Sequence, residues 1–365
     1  MEQSRAAAGC PCPAKIAVVI PAYRTECQIE KVVRSVPSLV SWIIVVDDCS
    51  PDRTAEIVTR IAKEDARIRL VCHETNQGVG GAVLTGYRAA HRLGAGIVVK
   101  IDGDGQMDPA QLVPLIRPIL CGEADYTKGN RFLHTRQLQR MPLVRRIGNL
   151  GLSFLTKMAS GYWNIFDPTN GYTALHGSLI PELDDSALGR RYFFESSMLL
   201  ELSLLRAVVR DVCMPAHYSD EQSSLWVLHT LIEFPAKLFR RFLRRLWIQY
   251  FVRDFGVFSV LLVCGSMLSM FGLAFGSYHW VASSQLKTST PTGTIMLSTL
   301  TLILGIQFLL QGVLLDVQSV PARPVHGDLT GDAAYEPIVF PGFASDLQTA
   351  HQAANSDSAE HRRVA

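Results

Sequence analysis

The sequence predicts an α/β domain built on a parallel, doubly wound sheet, followed by an amphipathic helix and two membrane-spanning helices. Three observations carry this expectation. Short apolar, β-branched runs alternate with helically periodic stretches from Lys15 to Ile101, as in a sheet covered by helices on both faces. The runs 255–286 and 288–315 contain no Asp, Glu, Lys or Arg. Just before them, Lys237, Arg240, Arg241, Arg244, Arg245 and Arg253 stand among apolar residues.

The elements follow in order. Lys15 to Pro21 is an apolar run stopped by proline, the first strand. Gln28 to Val36 carries Ile29, Val32, Val33 and Val36 at helical spacing. Trp42 to Asp48 is a second buried strand ending in two acids. Ser50-Pro51-Asp52 starts a helix that runs to about Lys63. Ile68 to His73 is the third strand, and Asn76 to Gly81 leads into a helix reaching His91. The glycines of that loop lack the last glycine of a dinucleotide fingerprint, because Val83 stands there, and the lysine of a P-loop.

The strand Ile97 to Ile101 then opens into Asp102-Gly103-Asp104-Gly105-Gln106. Gly103 and Gly105 let the backbone turn tightly and approach a ligand. Asp102 and Asp104 offer hard oxygen ligands to Mg²⁺ or Mn²⁺, or serve only as turn formers. A calcium EF-hand loop is excluded, since Met107 takes the place of its glycine and Val113 that of its closing Glu. Open α/β sheets bind ligands at the carboxyl ends of strands, where these acids fall. Asp47 and Asp48 end a strand in the same way, either as a turn or as contacts to a nucleotide base and ribose.

Composition narrows the classes. The chain has 365 residues and a net charge of +2, so no global field points to nucleic acid. Eight cysteines are scattered without a C-x-x-C pair, which reads as reduced thiols rather than a disulfide framework. Residues 1–14 lack the apolar core of a signal peptide. They are expected to be a flexible N-terminus, and the domain after them is expected to stay in the cytoplasm.

Ile-Pro-Ala-Tyr (20–23), Val-Val-Asp-Asp-Cys-Ser-Pro-Asp (45–52), Asn-Gln-Gly-Val-Gly-Gly-Ala (76–82) and Asp-Gly-Asp-Gly-Gln (102–106) stand in one order. Together they resemble a family 2 glycosyltransferase of GT-A fold. Within that family they are similar to the polyprenyl-phosphate sugar transferases of the dolichol-phosphate mannose synthase type. The resemblance covers about residues 15–225, and it makes this stretch the GT-A domain. It implies that Pro21, Ala22, Tyr23, Glu26, Asp47 and Asp48 hold the nucleotide-sugar, together with Asp102, Gly103 and Asp104. It implies Asp102, Asp104 and Gln106 as ligands of Mg²⁺ or Mn²⁺. In the family Asn usually stands where this chain has Arg24, with Glu soon after. Here the run is Tyr-Arg-Thr-Glu, which leaves Arg24 to meet the nucleotide diphosphate or a membrane phosphate.

Gly129-Asn130-Arg131-Phe132 resembles the family's Gly-Ser/Asn-Arg-aromatic motif, and Arg145 and Arg146 follow. By resemblance Arg131 and Arg145 bind the acceptor phosphate, as guanidinium forks do. Asn149, one helical turn after Arg145, shares that site. The competing reading makes Arg136, Arg140, Arg145 and Arg146 a solvated basic face. Asp167-Pro168-Thr169-Asn170-Gly171-Tyr172 matches the family motif that puts an acid near the reacting sugar. Asp167 is otherwise an Asx turn or helix cap. The residues implied in catalysis are thus Asp104, Asp167, Arg131 and Arg145. His217 to Leu225 resembles a mobile loop of the family, with Gln222 where Lys is expected.

A bilayer core takes about 20 apolar helical residues, so spans are expected at 255–281 and 293–315. Two buried core helices are the alternative, although soluble helices apolar on all sides are rare. In the juxtamembrane stretch 226–254, Leu238, Phe239, Phe242, Leu243, Leu246 and Trp247 share one helical face. Lys237, Arg240, Arg241, Arg244 and Arg245 share the other, suited to anionic lipid. Pro235 kinks this helix or starts its second part. The basic cluster puts the catalytic domain and both termini on the cytoplasmic side of a multi-pass inner-membrane protein, with the link 282–292 facing outward. Residues 321–365 read as a disordered tail. Span pairs of this kind often pack against copies of themselves, which makes a homo-oligomer an expected partner.

The expected reaction is inverting, metal-dependent transfer from a UDP-glucose or GDP-mannose type donor to undecaprenyl or dolichyl phosphate. A phosphate monoester has its second pKa near about 6 and is mostly ionised at neutral pH, so no strong base is required. One alternative is a transferase that extends a glycan. It needs a base for a hydroxyl acceptor and often a Gln-x-x-Arg-Trp motif, which this chain lacks. The other is a non-catalytic membrane scaffold, against which Asp102, Asp104, Arg131 and Arg145 stand.

Overall fold

The computed structural model describes residues 15–131, 143–168, 170–191, 193–214 and 227–330. The expected mobile loop at His217 to Leu225 lies outside the described residues, as do 1–14 and 331–365. The chain divides into two compact units. One comprises Met1–Gly129, Gly171–Leu183 and Arg323–Ala365, the other Asn130–Asn170 and Asp184–Ala322.

In the first unit, β1 (Ile16–Ala22) is buried along its whole length. A run of Ile, Val and Ala on both faces leaves it no solvent side, which places it in the middle of a sheet. Around it stand β2 (Trp42–Asp47), β3 (Ile68–Cys72) and β4 (Ile97–Lys100). The strands β5 (Tyr126–Asn130) and β6 (Thr173–His176) complete the unit's part of the sheet, in the order β3-β2-β1-β4-β6-β5. Pairing of β1 with β2 and β4, and of β2 with β3, is parallel. The parallel pairing expected of the strands in residues 15–101 is present, and β6 adds antiparallel pairing to both β4 and β5, pairing Ile97 with His176 and Tyr126 with Leu175. Its four residues return from the excursion through the second unit, and Thr-Ala-Leu-His carries no periodicity that announces a strand.

Helices α1 (Ile29–Arg34), α2 (Thr54–Ile61), α3 (Gly78–Arg92) and α4 (Leu112–Leu120) belong to this unit. The helix α3 approaches β1 closely at Gly86, where an added Cβ would lie 2.2 Å from Val19 Cγ1.

The second unit holds α5 (Leu143–Ser160), α6 (Phe194–Leu204), β7 (Val209–Cys213) and α7 (Val227–Trp247). Its core joins Ala159, Phe193, Leu200, Phe234 and Leu238. Pro235 lies inside α7, which continues through it. The amphipathic pattern of α7 resolves differently from the expectation at one residue. Arg245, placed by periodicity on the lipid-facing basic side, is 2% exposed. It forks onto Asp316, with Nη1–Oδ1 at 2.8 Å and Nη2–Oδ2 at 3.0 Å. Burying a guanidinium is tolerable only with a matched carboxylate, and Asp316 supplies it from 71 residues away. Phe239, Leu243 and Trp247, one turn apart, remain exposed as an apolar ridge.

After a π-helical turn (Ile248–Arg253), α8 (Val257–Leu286) and α9 (Thr292–Gln318) are both long and apolar enough to cross a membrane. Only 22% and 17% of their most apolar stretches are buried, which argues against soluble core helices. The two pack through small residues. A Cβ on Gly272 would meet Leu302 N at 2.8 Å, and one on Gly265 would meet Gly305 O at 3.0 Å, the close approach that drives helix pairing in lipid.

Residues 321–330, expected to belong to a disordered tail, are ordered. The described residues continue to 330, with α10 at His326–Thr330 in the first unit. Asp125 anchors it. Its carboxylate accepts from Val325 N at 3.0 Å and His326 N at 2.9 Å, and His326 Nδ1 lies 2.7 Å from Oδ1. The His326 ring stacks on His176, centroids 4.5 Å apart. A polar composition hid this segment, because its docking rests on one buried acid rather than on apolar burial.

Candidate active site

The carboxyl ends of β2, β1 and β4 lie side by side, since Ala22 pairs with Asp47 and Val19 with Lys100. That arrangement gathers Pro21, Ala22, Tyr23, Asp47, Asp48, Asp102, Gly103 and Asp104 at one edge of the first unit. Gly103 is buried there because a Cβ would press to 3.1 Å from Pro21 O and 3.5 Å from Thr25 Cγ2. Gly105 turns with φ 75°, a left-handed backbone that glycine adopts at no steric cost.

The two acids that end β2 have different environments. Asp48 is saturated: Gln77 N and Gly78 N donate to its two oxygens at 2.8 and 2.7 Å, and His73 Nδ1 lies 2.7 Å from Oδ1. It holds the N-terminal end of α3, and His73 is held in turn by Thr85 Oγ1 at 2.9 Å. Asp47 accepts from Ser50 N at 3.2 Å through Oδ2, while its buried Oδ1 has no hydrogen-bond partner among the described residues. A buried acceptor without a donor is rare in native proteins and fits a ligand N–H. Of the pair, Asp47 is the one with capacity to spare.

Asp104 and Gln106 are exposed, and Gln106 N donates to Asp104 Oδ1 at 3.0 Å. Asp102 is half-buried, with Lys100 Nζ 2.8 Å from its Oδ1. Lys100 is 1% exposed. Gly171 closes over this pair, since a Cβ there would lie 2.6 Å from both Asp102 Oδ2 and Lys100 Nζ. Among the described residues no three His, Cys, Asp or Glu side chains cluster as a self-sufficient metal site. Two carboxylates are nevertheless the donor set that Mg²⁺ and Mn²⁺ use when substrate phosphates complete the shell, so Asp102 and Asp104 fit the ion. Lys100 is absent from the motifs, although a lone charge in an apolar strand is its visible signal.

The segment after β1 is pinned by its neighbours. Arg24 N donates to Ser50 Oγ, Thr25 N to Thr54 Oγ1 and Glu26 N to Asp52 Oδ2, at 3.2, 3.1 and 3.2 Å. Glu26 Oε2 accepts from Arg53 N at 3.1 Å, so this carboxylate braces the turn. Arg24 has φ 56°, a left-handed conformation that costs an ordinary L-residue about 1–2 kcal/mol.

In the second unit Arg131 and Asp167 form a fork. Nε donates to Oδ2 at 2.9 Å and Nη2 to Oδ1 at 3.2 Å. Asp167 is fully buried, whereas the Arg131 side chain is 37% exposed. Asp211, which no motif indicated, joins the two segments: Asn130 Nδ2 and Phe166 N both donate to its Oδ2, at 2.6 and 2.8 Å. Asp167 thus orients Arg131. Arg145 and Asn149 lie on α5, but their side chains fall outside the described residues.

Residues 17–183 match the family described as Glycosyl transferase family 2. Over 218 residues the chain is 32% identical to the UDP-N-acetylglucosamine–dolichyl-phosphate N-acetylglucosaminyltransferase of Methanococcus voltae, covering 56% of this chain and 86% of that protein. Over 166 residues it is 29% identical to the undecaprenyl-phosphate mannosyltransferase of Micrococcus luteus, covering 45% and 67%. Among solved structures, glucosyl-3-phosphoglycerate synthase from Mycobacterium tuberculosis with phosphoglyceric acid is similar at 22% identity and a TM-score of 0.46, covering 64% of this chain and 80% of that one.

Proposed function

Because the chain belongs to glycosyl transferase family 2, we propose that it moves a sugar from a nucleotide-sugar to a polyprenyl phosphate at the cytoplasmic face of a membrane. The observation that carries this reading is the acidic loop Asp102–Gln106 at the carboxyl end of β4, on the same sheet edge as the buried Asp47 oxygen that has no hydrogen-bond partner among the described residues. Those are the groups a nucleoside diphosphate and its counter-ion require. The acceptor class is supported by the relatives that act on dolichyl and undecaprenyl phosphate and by two helices fit to span a bilayer.

Asp47 takes a base N–H through its free oxygen, and Pro21, Ala22 and Tyr23 form the floor under the nucleotide. Asp102 and Asp104 hold Mg²⁺ or Mn²⁺. When bound, that ion supplies Lewis-acid stabilisation of the charge that grows on the leaving diphosphate. Lys100 fixes the direction of the Asp102 carboxylate. Arg131, aimed by Asp167, holds the acceptor phosphate, and Arg145 and Asn149 are assigned to the same task. A phosphate oxygen forms a bond to the anomeric carbon as the bond from that carbon to the diphosphate oxygen breaks, so the configuration inverts. The nucleophile is already ionised near neutral pH, and no side chain need remove a proton. The basic residues of α7 favour a cytoplasmic catalytic unit, and an even number of spans keeps the chain after α9 on that side.

The test uses membranes carrying the full chain, supplied with Mn²⁺, undecaprenyl phosphate and, in turn, UDP-glucose, UDP-N-acetylglucosamine and GDP-mannose. One donor should yield a glycolipid, and Asp104→Asn should lower its formation by roughly 100-fold or more. Sugar appearing on a soluble hydroxyl acceptor instead would defeat the lipid-phosphate reading.

A further inference from the structure

Among the described residues, four that are not glycine have a left-handed backbone: Arg24, Cys49, Arg206 and Lys287. Arg206 and Lys287 end helices, α6 and α8, where such a conformation is routine. Arg24 has no such reason. It stands two residues past β1, and Ser50, Thr54 and Asp52 accept from its own backbone N–H and those of the two residues after it. Its neighbours in sequence reach both glycines of the acidic loop. Pro21 O and Thr25 Cγ2 face Gly103, and Gln28 Cβ lies 3.8 Å from where a Cβ on Gly105 would stand. The guanidinium is exposed over the Tyr23 ring, 5.3 Å from its centroid, and forms no ion pair among the described residues. Asn or Gly would adopt this turn with less strain, so the turn itself does not call for arginine.

The surroundings do call for a cation. Glu26, Asp47, Asp48, Asp52, Asp102 and Asp104 outnumber Lys100, the cation paired with Asp102, at this edge of the sheet, whereas a nucleoside diphosphate is an anion. One divalent ion neutralises part of that repulsion. A guanidinium can meet the remaining phosphate oxygens with two parallel donors. Backbone strain that is held in place by its neighbours is a mark of a functional position. We propose that Arg24 binds the diphosphate of the donor, and that its left-handed backbone is retained because it presents a cation at this turn. The inference rests on the reading of this edge as the donor site.

The full chain in detergent is titrated with UDP and with GDP in the presence of Mn²⁺, and with the corresponding monophosphates, by calorimetry. For the diphosphate that the wild type binds, Arg24→Asn should weaken affinity about 10-fold or more, with monophosphate affinity within about twofold. The same variant should melt higher, by roughly 2–4 °C, because Asn relaxes the turn. Arg24→Lys keeps the charge but loses the fork, and should fall between. Diphosphate affinity unchanged in Arg24→Asn overturns the proposal while leaving the donor site intact. A rise in KM confined to polyprenyl phosphate also overturns it, by assigning Arg24 to the acceptor phosphate. A lower melting point in Arg24→Asn removes the strain argument. If the wild type binds neither diphosphate, the donor-site reading falls and Arg24 falls with it.

Discussion

Asp167 is fully buried, and both of its carboxylate oxygens accept from the Arg131 guanidinium. The place proposed for it in the reaction is therefore indirect: it fixes where Arg131 points. Asp167→Asn keeps the shape but removes the charge and one acceptor. The expected result is a KM for polyprenyl phosphate raised about 10-fold, equivalent to about 1.4 kcal/mol, with the donor KM unchanged. A loss of about 1–3 kcal/mol of stability should accompany it, read by thermal melting. If the donor KM moves instead, Asp167 belongs to the sugar side. Each of these two residues is legible in its own motif, but they stand 36 residues apart, and no local pattern reveals that one aims the other. Asp47 and Asp48 are legible as a pair for the same reason that they are indistinguishable. Only the packing of α3 against Asp48 separates the saturated carboxylate from the one with a free oxygen.

The elements divide by how much of their pattern is local. β1 to β4 and the helices between them are readable, since apolar runs and helical spacing are written within a few residues. So are the two helices long and apolar enough to cross a membrane, because a charge-free run of such length is visible in the sequence itself. The strand β6 is not, and neither is its direction, which depends on where the chain re-enters the sheet. The burial of Arg245 is hidden for a related reason, as helical periodicity sees the face of α7 but not Asp316 on α9. The pairing of α8 with α9 depends on backbone contact at Gly272, which lies against Leu302 N and Ser298 O. Gly272→Val should force the helices apart. The expected outcome is a lower melting temperature in detergent, with the change costing about 1–3 kcal/mol, while Gly293→Val, at a position with open space, should leave it unchanged.

For the molecule as a whole, pH acts on the catalytic unit through His176. Burial is the largest cause that lowers its pKa, from 6.5 to about 4, the neighbouring His326 lowers it further, and Asp125 opposes both. The folded chain thus binds this proton less readily than the unfolded chain. Its contribution to stability is fully present above pH 6.5, declines as pH falls below that value, and is lost once pH passes about 4. The loss amounts to about 3 kcal/mol. Melting temperatures of the full chain should fall through this window, and His176→Gln should flatten that part of the profile. A slope unchanged by the substitution would assign the acid sensitivity to other groups.

The anchoring of Val325 and His326 by Asp125 also bears on how the protein is best shortened for biochemistry. Ending the polypeptide at Gln318, where hydropathy says the useful part stops, would strip three donors from a carboxylate that no water reaches. Ending it after Thr330 would keep them. A cut chosen from composition alone would therefore injure the first unit through a histidine that lies outside the family match.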